Sequence, residues 1–395
     1  MDVSVAVEHQ AGFALDLHKV VAETNENAVD KGNSLLSPVS MTTALAMAGA
    51  GAKGKTLQEI QTVLKLPEGE EMHQFTSQLK TAILKDGTSV GGPALYCANG
   101  LWVEKTLTLK SSFQELVKGN YGVGASVADF GNKAEEERTN INKWVEDETK
   151  GKIEDLLPPS SLNEKTAMVL ANALYFKGTW KKKFNPEETK DDDFHLLDGK
   201  TVKVPYMTSK KKQSVRQFDT HKVLKLSYLQ GDDHRSFSMF FILPNEKDGI
   251  TKLEKELDAE NLTKYFNWTS REVEVSQFRL PKFKFSAGFK PTGALQALGL
   301  KAPFSQGADF SDMVEGPNAE LLYLSDVYHK CFIEVNEEGT EAAAATGAVM
   351  MLKSIAIREP PIDFVADHPF LFVLREDVTG LILFLGRITN PSVSQ

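Results

Sequence analysis

The chain contains 395 residues, with a net charge of −9 and a mean hydropathy of −0.27. The excess of negative charge argues against general binding of nucleic acids, and there is no run of 18 apolar residues that could span a membrane. Only two cysteines, Cys97 and Cys331, are present, so we expect either a reducing compartment or a protein that does not depend on disulfide bonds.

The N-terminal residues contain neither the basic nor the apolar segment of a secretory signal peptide, so we expect a cytoplasmic or nucleocytoplasmic protein. Glycine and proline are scattered without forming a linker, and no internal repeat is visible. The hydrophobic share of 41% is that of a soluble globular protein. We therefore expect one domain over residues 1–395, monomeric and without a cofactor or a metal ion.

Two helices are predicted near the N-terminus. The spacing of apolar residues predicts an amphipathic helix over residues 3–23. A short strand then ends at Ser37, which is suited to cap a helix whose first residue is Pro38. That second helix is predicted over residues 39–48.

Two glycine-rich segments match catalytic motifs by letter. Residues 49–56, Gly49 to Thr56, satisfy the P-loop pattern G-x-x-x-x-G-K-[ST], which binds phosphates when a buried strand precedes it. Residues 87–91 match the G-x-S-x-G pattern around a nucleophilic serine, which also needs a preceding strand. Both segments instead follow predicted helices, the second at residues 72–85. We interpret them as a helix–helix turn and an exposed loop, and keep a P-loop NTPase and an α/β hydrolase using Ser89 as weaker hypotheses.

Most of the remaining chain is predicted to form strands. The most apolar strand, residues 166–176, contains a single polar residue, Asn172, which needs hydrogen-bond partners if it is buried. The dipeptide Asp198-Gly199 predicts a hairpin turn. Alternation of apolar and polar residues predicts one strand over residues 272–285. Apolar periodicity predicts further strands at 94–103, 194–197, 202–205, 223–226, 237–243 and 331–335, a helix at 134–150 and a C-terminal hairpin at 368–388.

Residues 337–354 read EEGTEAAAATGAVMMLKS, a run of small residues followed by an apolar patch and one lysine. Alanine favours a helix, but the run has no apolar stripe with which a helix could pack. Glycine and threonine at Gly339, Thr340, Thr346 and Gly347 weaken a helix further. Small residues can instead enter a gap between two strands, where a bulky or charged side chain would be stopped.

This stretch resembles the hinge and reactive-centre loop of inhibitory serpins, and other motifs extend the resemblance over nearly the whole chain. The signal-free start and the segment TSKKKQ at residues 208–213 are most similar to plant members. The resemblance implies an α+β serpin fold, with about nine helices around three β-sheets and an exposed reactive-centre loop at residues 337–358. It also leaves the extracellular space open as a location. The other motifs are Asn33 to Ser40, Asn172 to Trp180, Phe310 to Lys330 and Asp367 to Pro391.

The resemblance implies suicide inhibition of trypsin-like proteases, in a covalent 1:1 complex, by a chain that is not itself an enzyme. The register of the family places the reactive bond between Lys353 and Ser354. After the protease forms an ester with Lys353, the chain from Gly339 would insert as a new strand of the main sheet. The 15 residues from Gly339 to Lys353 would span roughly 50 Å as a strand, at ~3.3 Å per residue. Plant members add papain-like or metacaspase-type cysteine proteases as partners.

The resemblance also assigns roles to residues outside the reactive bond. Lys282 and Glu337 match an ion pair at the top of the main sheet near Trp180, and a surface pair of this kind contributes about 0–1 kcal/mol. A polar cluster under the opening point of the sheet is matched by Ser37, Ser40, Asn172 and His329, with His329 expected on a strand edge. The hinge is matched by Glu337, Gly339, Thr340, Ala342, Ala343, Ala344, Ala345 and Thr346.

Three alternatives remain open. Without the resemblance, the polar cluster reads as a satisfied core network with no switching role. A serpin fold can also belong to a non-inhibitory carrier, chaperone or storage protein, because a fold alone does not fix function. A bulky, charged or proline residue at Thr340 or in the alanine run would favour that alternative, and the chain has none there. Met350, Met351 and Leu352 offer a secondary site for chymotrypsin- or elastase-like proteases.

Overall fold

The computed structural model describes residues 3–24, 32–67, 69–122, 124–266, 272–339 and 361–393. Within these ranges lie nine α-helices and 17 β-strands. No described helix has the length and apolar character needed to cross a membrane. The helices are α1 Val3–Thr24, α2 Pro38–Gly49, α3 Gly54–Leu64, α4 Glu70–Gln78, α5 Ser111–Tyr121, α6 Phe130–Glu148, α7 Ile250–Glu256, α8 Ala259–Phe266 and α9 Thr292–Ala297.

The strands form three sheets of four to six strands and one small ribbon. The central sheet has the order β12-β14-β5-β2-β4, the six-stranded sheet β1-β17-β16-β10-β9-β8, the four-stranded sheet β15-β11-β7-β6 and the ribbon β13-β3. The bounds are β1 Ser34–Leu36, β2 Ala94–Glu104, β3 Thr108–Leu109, β4 Ala125–Ala128, β5 Met168–Lys177, β6 Lys190–His195, β7 Thr201–Met207, β8 Ser214–Gln217, β9 His221–Ser227, β10 Phe237–Pro244, β11 Phe278–Pro281, β12 Phe283–Phe289, β13 Val314–Glu315, β14 Asp326–Val335, β15 Phe364–Val365, β16 Phe370–Glu376 and β17 Ile382–Ile388.

The N-terminal prediction is confirmed in detail. Ser37 caps α2 with its side chain, which accepts the amide of Ser40, and Pro38 is the first helical residue. This arrangement suits proline because the first turn of a helix leaves its amides without intrahelical partners. The helix predicted at residues 72–85 is α4, whose last part continues as a π-helical turn over Leu79–Ile83.

The single strand predicted over residues 272–285 is wrong. The structure divides this segment into β11 and β12, which belong to different sheets and meet at Lys282. The alternation of buried residues changes phase here, because Leu280 and Pro281 are both buried in succession. The amide of Lys282 then donates to Pro205 of β7 at 2.9 Å, while β12 turns into the central sheet. The break brings Lys282 to the junction of the two sheets.

Strand β5 is buried on both faces of the central sheet. Leu174 and Phe176 pack towards the six-stranded sheet. Ala173 and Tyr175 point to the opposite face, into a cluster that contains apolar side chains of α6. Because successive side chains of a strand point to opposite faces, a strand covered on both sides is nearly all apolar. The polar Asn172 is therefore an exception that needs its own partners.

Candidate functional site

The centre of the site is the contact between the parallel strands β5 and β14, which lie side by side inside the central sheet. Their register runs from Asp326 opposite Val169 to Phe332 opposite Tyr175, and we call this paired region the seam. The seam ends at Phe332, whereas β14 continues to Val335, which we call its upper end. Both strands have neighbours on their other sides, so neither is an edge strand.

The direction of the chain after β14 makes the seam a candidate point of insertion. A segment that turned back after Gly339 and followed β14 downwards would be antiparallel to both β14 and β5. Parallel pairing is slightly less stable per residue than antiparallel pairing. Insertion would therefore exchange one parallel ladder for two antiparallel ones and add the hydrogen bonds of a whole strand.

A row of buried polar side chains crosses the middle of the seam. His329 of β14 lies opposite Asn172 of β5, and Asn172 lies opposite Asn99 of β2. His329 Nδ1 donates to Asn172 Oδ1, and Asn172 Nδ2 donates to Asn99 Oδ1. The start of α2 completes the network, since Ser40 Oγ donates to Asn172 Oδ1 at 3.0 Å and the Ser37 amide donates to His329 Nε2 at 3.0 Å.

The structure thus brings Ser37, Ser40, Asn172 and His329 together, as the sequence predicted, and all four are fully buried. The expectation that His329 lies on a strand edge is wrong, because β14 is paired on both sides. His329 lies inside the sheet because β12 pairs with the side of β14 that faces away from β5. The sequence does not predict β12 as a strand of its own, since it predicts one strand over residues 272–285. Because the network joins both strands of the seam, separating them breaks its central hydrogen bond.

The protonation state of His329 follows from its partners. Nε2 must accept the amide proton of Ser37, so the ring carries its single proton on Nδ1. Burial lowers the pKa of His329 from 6.5 to about 3. A second proton on Nε2 would point at the amide donor of Ser37. The network is therefore compatible only with a neutral imidazole.

We expect the free energy of unfolding to decrease as the pH is lowered from 6.5 to 3, because of His329. The unfolded chain takes up a proton on this residue below about 6.5, whereas the folded chain does so only near 3, so stability is lost as the pH falls through this window. At pH 5 the loss from this one residue is about 2 kcal/mol, at 1.36 kcal/mol per pKa unit. The free energy of unfolding in urea, measured for wild type and His329→Asn at pH 7.5 and pH 5, gives this loss.

His221 serves as an internal reference in that experiment, because burial also lowers its pKa, to about 4, and both proteins retain it. The wild type should lose about 2 kcal/mol more than His329→Asn between the two pH values. Equal losses would show that the imidazole of His329 does not set this dependence.

Glu337 lies two residues beyond the end of β14, and its carboxylate and backbone are bound by three other residues. Its Oε2 lies 2.8 Å from Lys282 Nζ, its Oε1 accepts Thr189 Oγ at 2.6 Å, and its backbone carbonyl accepts the Phe184 amide at 3.0 Å. Glu337 is only 7% exposed. Burial raises its pKa, but the hydrogen bonds from Lys282 and Thr189 outweigh burial, so the pKa is lowered. The predicted pair is therefore present, and its acidic partner is buried rather than a surface residue.

Trp180 anchors the segment that follows β14. Its ring stacks on Tyr228 at 4.3 Å and its indole Nε1 donates to the carbonyl of Asn336 at 2.9 Å. The backbone amide of Trp180 donates to the carbonyl of Glu338 at 2.9 Å, and Glu338 forms an ion pair with Lys183. Residues 336–338 are thus held against the end of β5 by both backbone and side-chain contacts.

Gly339 is pressed against the backbone beyond β5. Its φ is +122°, and a Cβ atom here would lie 2.4 Å from the Gly178 carbonyl oxygen and 2.6 Å from the Trp180 amide nitrogen. Both the conformation and the space therefore require glycine. Gly339 also bridges Thr179, which follows β5, and Asn336, which follows β14, so this hinge residue lies directly above the seam.

We expect Gly339→Ala to destabilise the native state by about 1–3 kcal/mol, because alanine is strained at this φ and its methyl group displaces the hinge. The measurement is the urea unfolding free energy at neutral pH. Gly91→Ala is the matched control, since Gly91 has a φ of +74° but no atom within 4 Å of its Cβ position. If both variants lose the same stability, the contact of Gly339 with the Gly178–Trp180 backbone contributes nothing.

Several predicted site residues lie outside the described residues. These are the reactive bond Lys353–Ser354 and the hinge residues Thr340, Ala342, Ala343, Ala344, Ala345 and Thr346. The structure fixes the two flanks of this segment, at Gly339 and at Pro361. It adds partners that the sequence analysis missed. Asn99 was detectable as a polar residue in an apolar strand, whereas no local signal marks the others, Thr189, Asn336, Lys183 and Glu338.

Neither of the two glycine-rich motifs has the preceding strand that its chemistry requires. Residues 49–56 run from the last residue of α2 through a turn at 50–53 into the first turn of α3, so a helix and not a strand precedes them. The Lys55 ammonium lies 3.7 Å from Glu59, and the buried Thr56 hydroxyl accepts the Asp309 amide at 2.9 Å. Ser89 lies in a short 3-10 helix that also follows a helical segment. Within the described part of the chain, no group of His, Cys, Asp or Glu could hold a metal ion.

Comparisons with known proteins agree over the length of the chain. The family model described as Serpin (serine protease inhibitor) matches residues 8–391. Serpin-ZXA of Oryza sativa subsp. japonica is 45% identical, covering 99% of this chain and 98% of that protein. The structure of Arabidopsis AtSerpin1 in its native stressed conformation has a TM-score of 0.92 at 42% identity, covering 99% of both chains. Human thyroxine-binding globulin has a TM-score of 0.83 at 26% identity over 100% of both chains.

Proposed function

Because the chain belongs to the serpin family, has the fold its sequence predicted and has plant serpins among its relatives, we propose that it traps proteases that cleave after lysine or arginine. The carbonyl carbon of Lys353 is attacked by the hydroxyl of the protease serine. The bond to Ser354 breaks, its amine leaves with a proton, and Lys353 remains as an ester on the protease. A cysteine protease would form a thioester in the same way.

The observation that carries this proposal is the closed parallel seam directly below Gly339. After the reactive bond is cut, the chain from Gly339 is free to enter the seam as an antiparallel strand. The ester is carried along with Lys353, over roughly 50 Å at ~3.3 Å per residue. The attached protease is pulled against the far end of the sheet and distorted, so water no longer hydrolyses the ester.

The polar contacts around the seam would control when the chain from Gly339 enters it. The network of Ser37, Ser40, Asn172 and His329 holds β5 and β14 together until the hinge pushes between them. The pair of Glu337 with Lys282, and the contacts of Trp180, hold the first hinge residues outside the sheet. Together they keep a less stable arrangement in place until cleavage, which is a stored-strain switch.

The non-inhibitory alternative has a specific basis, since the fold is shared with a protein named for binding thyroxine. The composition of the hinge favours inhibition, because Thr340 and the four alanines that follow Glu341 are small residues that can be buried between two strands. A carrier or storage protein does not need such residues.

Incubation with a panel of trypsin, chymotrypsin and papain tests the proposal. We expect a complex with trypsin that persists in SDS and has the summed mass of one protease and one inhibitor chain. Cleavage of the chain by trypsin without any such complex would contradict the proposed function and favour the non-inhibitory alternative.

A further inference from the structure

Three consecutive lysines lie beside the N-terminal flank of the reactive segment, by which we mean residues 340–360. The chain between Trp180 and Phe184 is held to Glu338 and Glu337 by two backbone hydrogen bonds, of 2.9 and 3.0 Å. The residues between these two bonds form a short loop next to Gly339. They are Lys181, Lys182 and Lys183.

A second run of three lysines lies beside the C-terminal flank. The backbone of Gln213 exchanges hydrogen bonds with Val273, at 2.8 and 3.0 Å. The backbone carbonyl of the neighbouring Glu274 accepts the amide of Ile362, the second residue after the reactive segment, at 3.2 Å. The lysines that precede Gln213 therefore lie next to this flank. They are Lys210, Lys211 and Lys212.

The two runs belong to one surface, because Lys182 forms an ion pair with Glu272. We call the six residues the lysine surface. Its charge is only partly neutralised, since Lys210 is 3.9 Å from Glu188 and 92% exposed, at a separation where a solvated pair contributes little. Lys181 and Lys211 are exposed, and no carboxylate of the described residues forms an ion pair with either.

We propose that the lysine surface is a docking site for acidic side chains around the active site of the target protease. This inference rests on the proposed function. The reactive bond is eight residues from Pro361, so it can lie at most about 28 Å away at ~3.5 Å per residue. A protease of roughly 230 residues has a radius of gyration of about 17 Å. A protease bound at Lys353 is therefore held over the surface that joins the two flanks.

A polyanion such as a nucleic acid fits this surface less well than a protease does. The chain carries a net charge of −9, and three of the lysines lie within 4.0 Å of the carboxylates of Glu188, Glu272 and Glu274. A partner with a few separate carboxylates can approach the lysines and avoid these acids. Opposite charges on two partners raise the association rate, by 10- to 1,000-fold in favourable cases, and salt suppresses the effect.

The test compares an anionic and a cationic trypsin, which share the specificity for lysine and arginine but differ in surface charge. The variant is Lys181→Glu/Lys211→Glu, which leaves every ion pair described above intact. The control is Lys165→Glu/Lys301→Glu, with the same change of charge at the other end of the seam. Lys165 precedes β5 by three residues, and Lys301 lies near Pro303, whose carbonyl accepts the Leu324 amide below β14.

We expect the lysine-surface variant to form its complex with anionic trypsin about tenfold more slowly at low salt, and close to the wild-type rate at about 0.5 M NaCl. The control variant should stay within about twofold of wild type. Wild type should react faster with anionic than with cationic trypsin.

Equal rates for the lysine-surface variant and the control overturn the inference while complex formation continues to support the proposed function. The inference is also overturned, in favour of polyanion binding, if the lysine-surface variant is no longer retained on a polyanion column but forms its complex with trypsin at the wild-type rate. If the wild type forms no SDS-stable complex with either trypsin, the proposed function fails, and the inference with it.

Discussion

Replacing Thr340 by arginine is expected to convert the protein from an inhibitor of trypsin into a substrate. Insertion would bury residue 340 near the top of a sheet that is covered on both faces, as β5 shows. An arginine buried there without a partner costs several kcal/mol. Since each 1.4 kcal/mol slows a step about tenfold, insertion becomes slower than hydrolysis of the ester. Trypsin should then cut Thr340→Arg and be released.

The measurement is the ratio of SDS-stable complex to cleaved chain after reaction with a slight excess of inhibitor. Thr340→Ser is the control, because serine is small and should leave complex formation nearly unchanged. If Thr340→Arg forms as much complex as Thr340→Ser, burial of this residue during inhibition is ruled out.

Replacing Lys353 by glutamate is expected to abolish inhibition of trypsin and to leave the fold intact. A trypsin-like protease binds lysine through a carboxylate in its specificity pocket, and glutamate would place a second carboxylate beside it. Sites built for a specific polar partner reject the wrong one by about 10⁴-fold or more. The rate of complex formation should fall by at least that factor, because the movement after cleavage never begins.

Two observations make the Lys353→Glu result specific. Lys353→Arg should inhibit trypsin at close to the wild-type rate, since arginine retains the positive charge. The thermal transition of Lys353→Glu should match that of wild type. If Lys353→Glu still inhibits trypsin, the reactive bond lies elsewhere, and Met350, Met351 and Leu352 become the next candidates.

The sequence predicted the elements of the fold best where local chemistry decides them. Ser37 and Pro38 mark the start of α2, and the continuous apolar run identifies β5, because both signals act within a few residues. Asn172 was recognisable as an exception in that run. The resemblance, rather than any local pattern, brought His329 and Ser37 into the same cluster, and their contact spans 292 positions of the chain.

Other features could not be predicted because they depend on how strands from distant parts of the chain meet. The break at Lys282 separates β11 from β12 only because two different sheets receive them. The burial of Glu337 depends on Thr189 and Lys282, neither of which has a local signature. Glycine is required at Gly339 because the backbone after β5 lies against it. The hinge sequence alone does not predict where that distant backbone lies.

A removable link across the seam tests most directly whether β5 and β14 separate during inhibition. Leu174 lies opposite Cys331 across the seam and opposite Cys97 on its other side, so Leu174→Cys in a Cys97→Ala background can form a disulfide only with Cys331. Neighbouring strands are about 4.8 Å apart, within the range a disulfide spans. The oxidised variant should be cut by trypsin without forming an SDS-stable complex. Reduction, with the reductant removed before the assay, should restore the complex. An oxidised variant that traps trypsin as well as its reduced form would contradict insertion between β5 and β14.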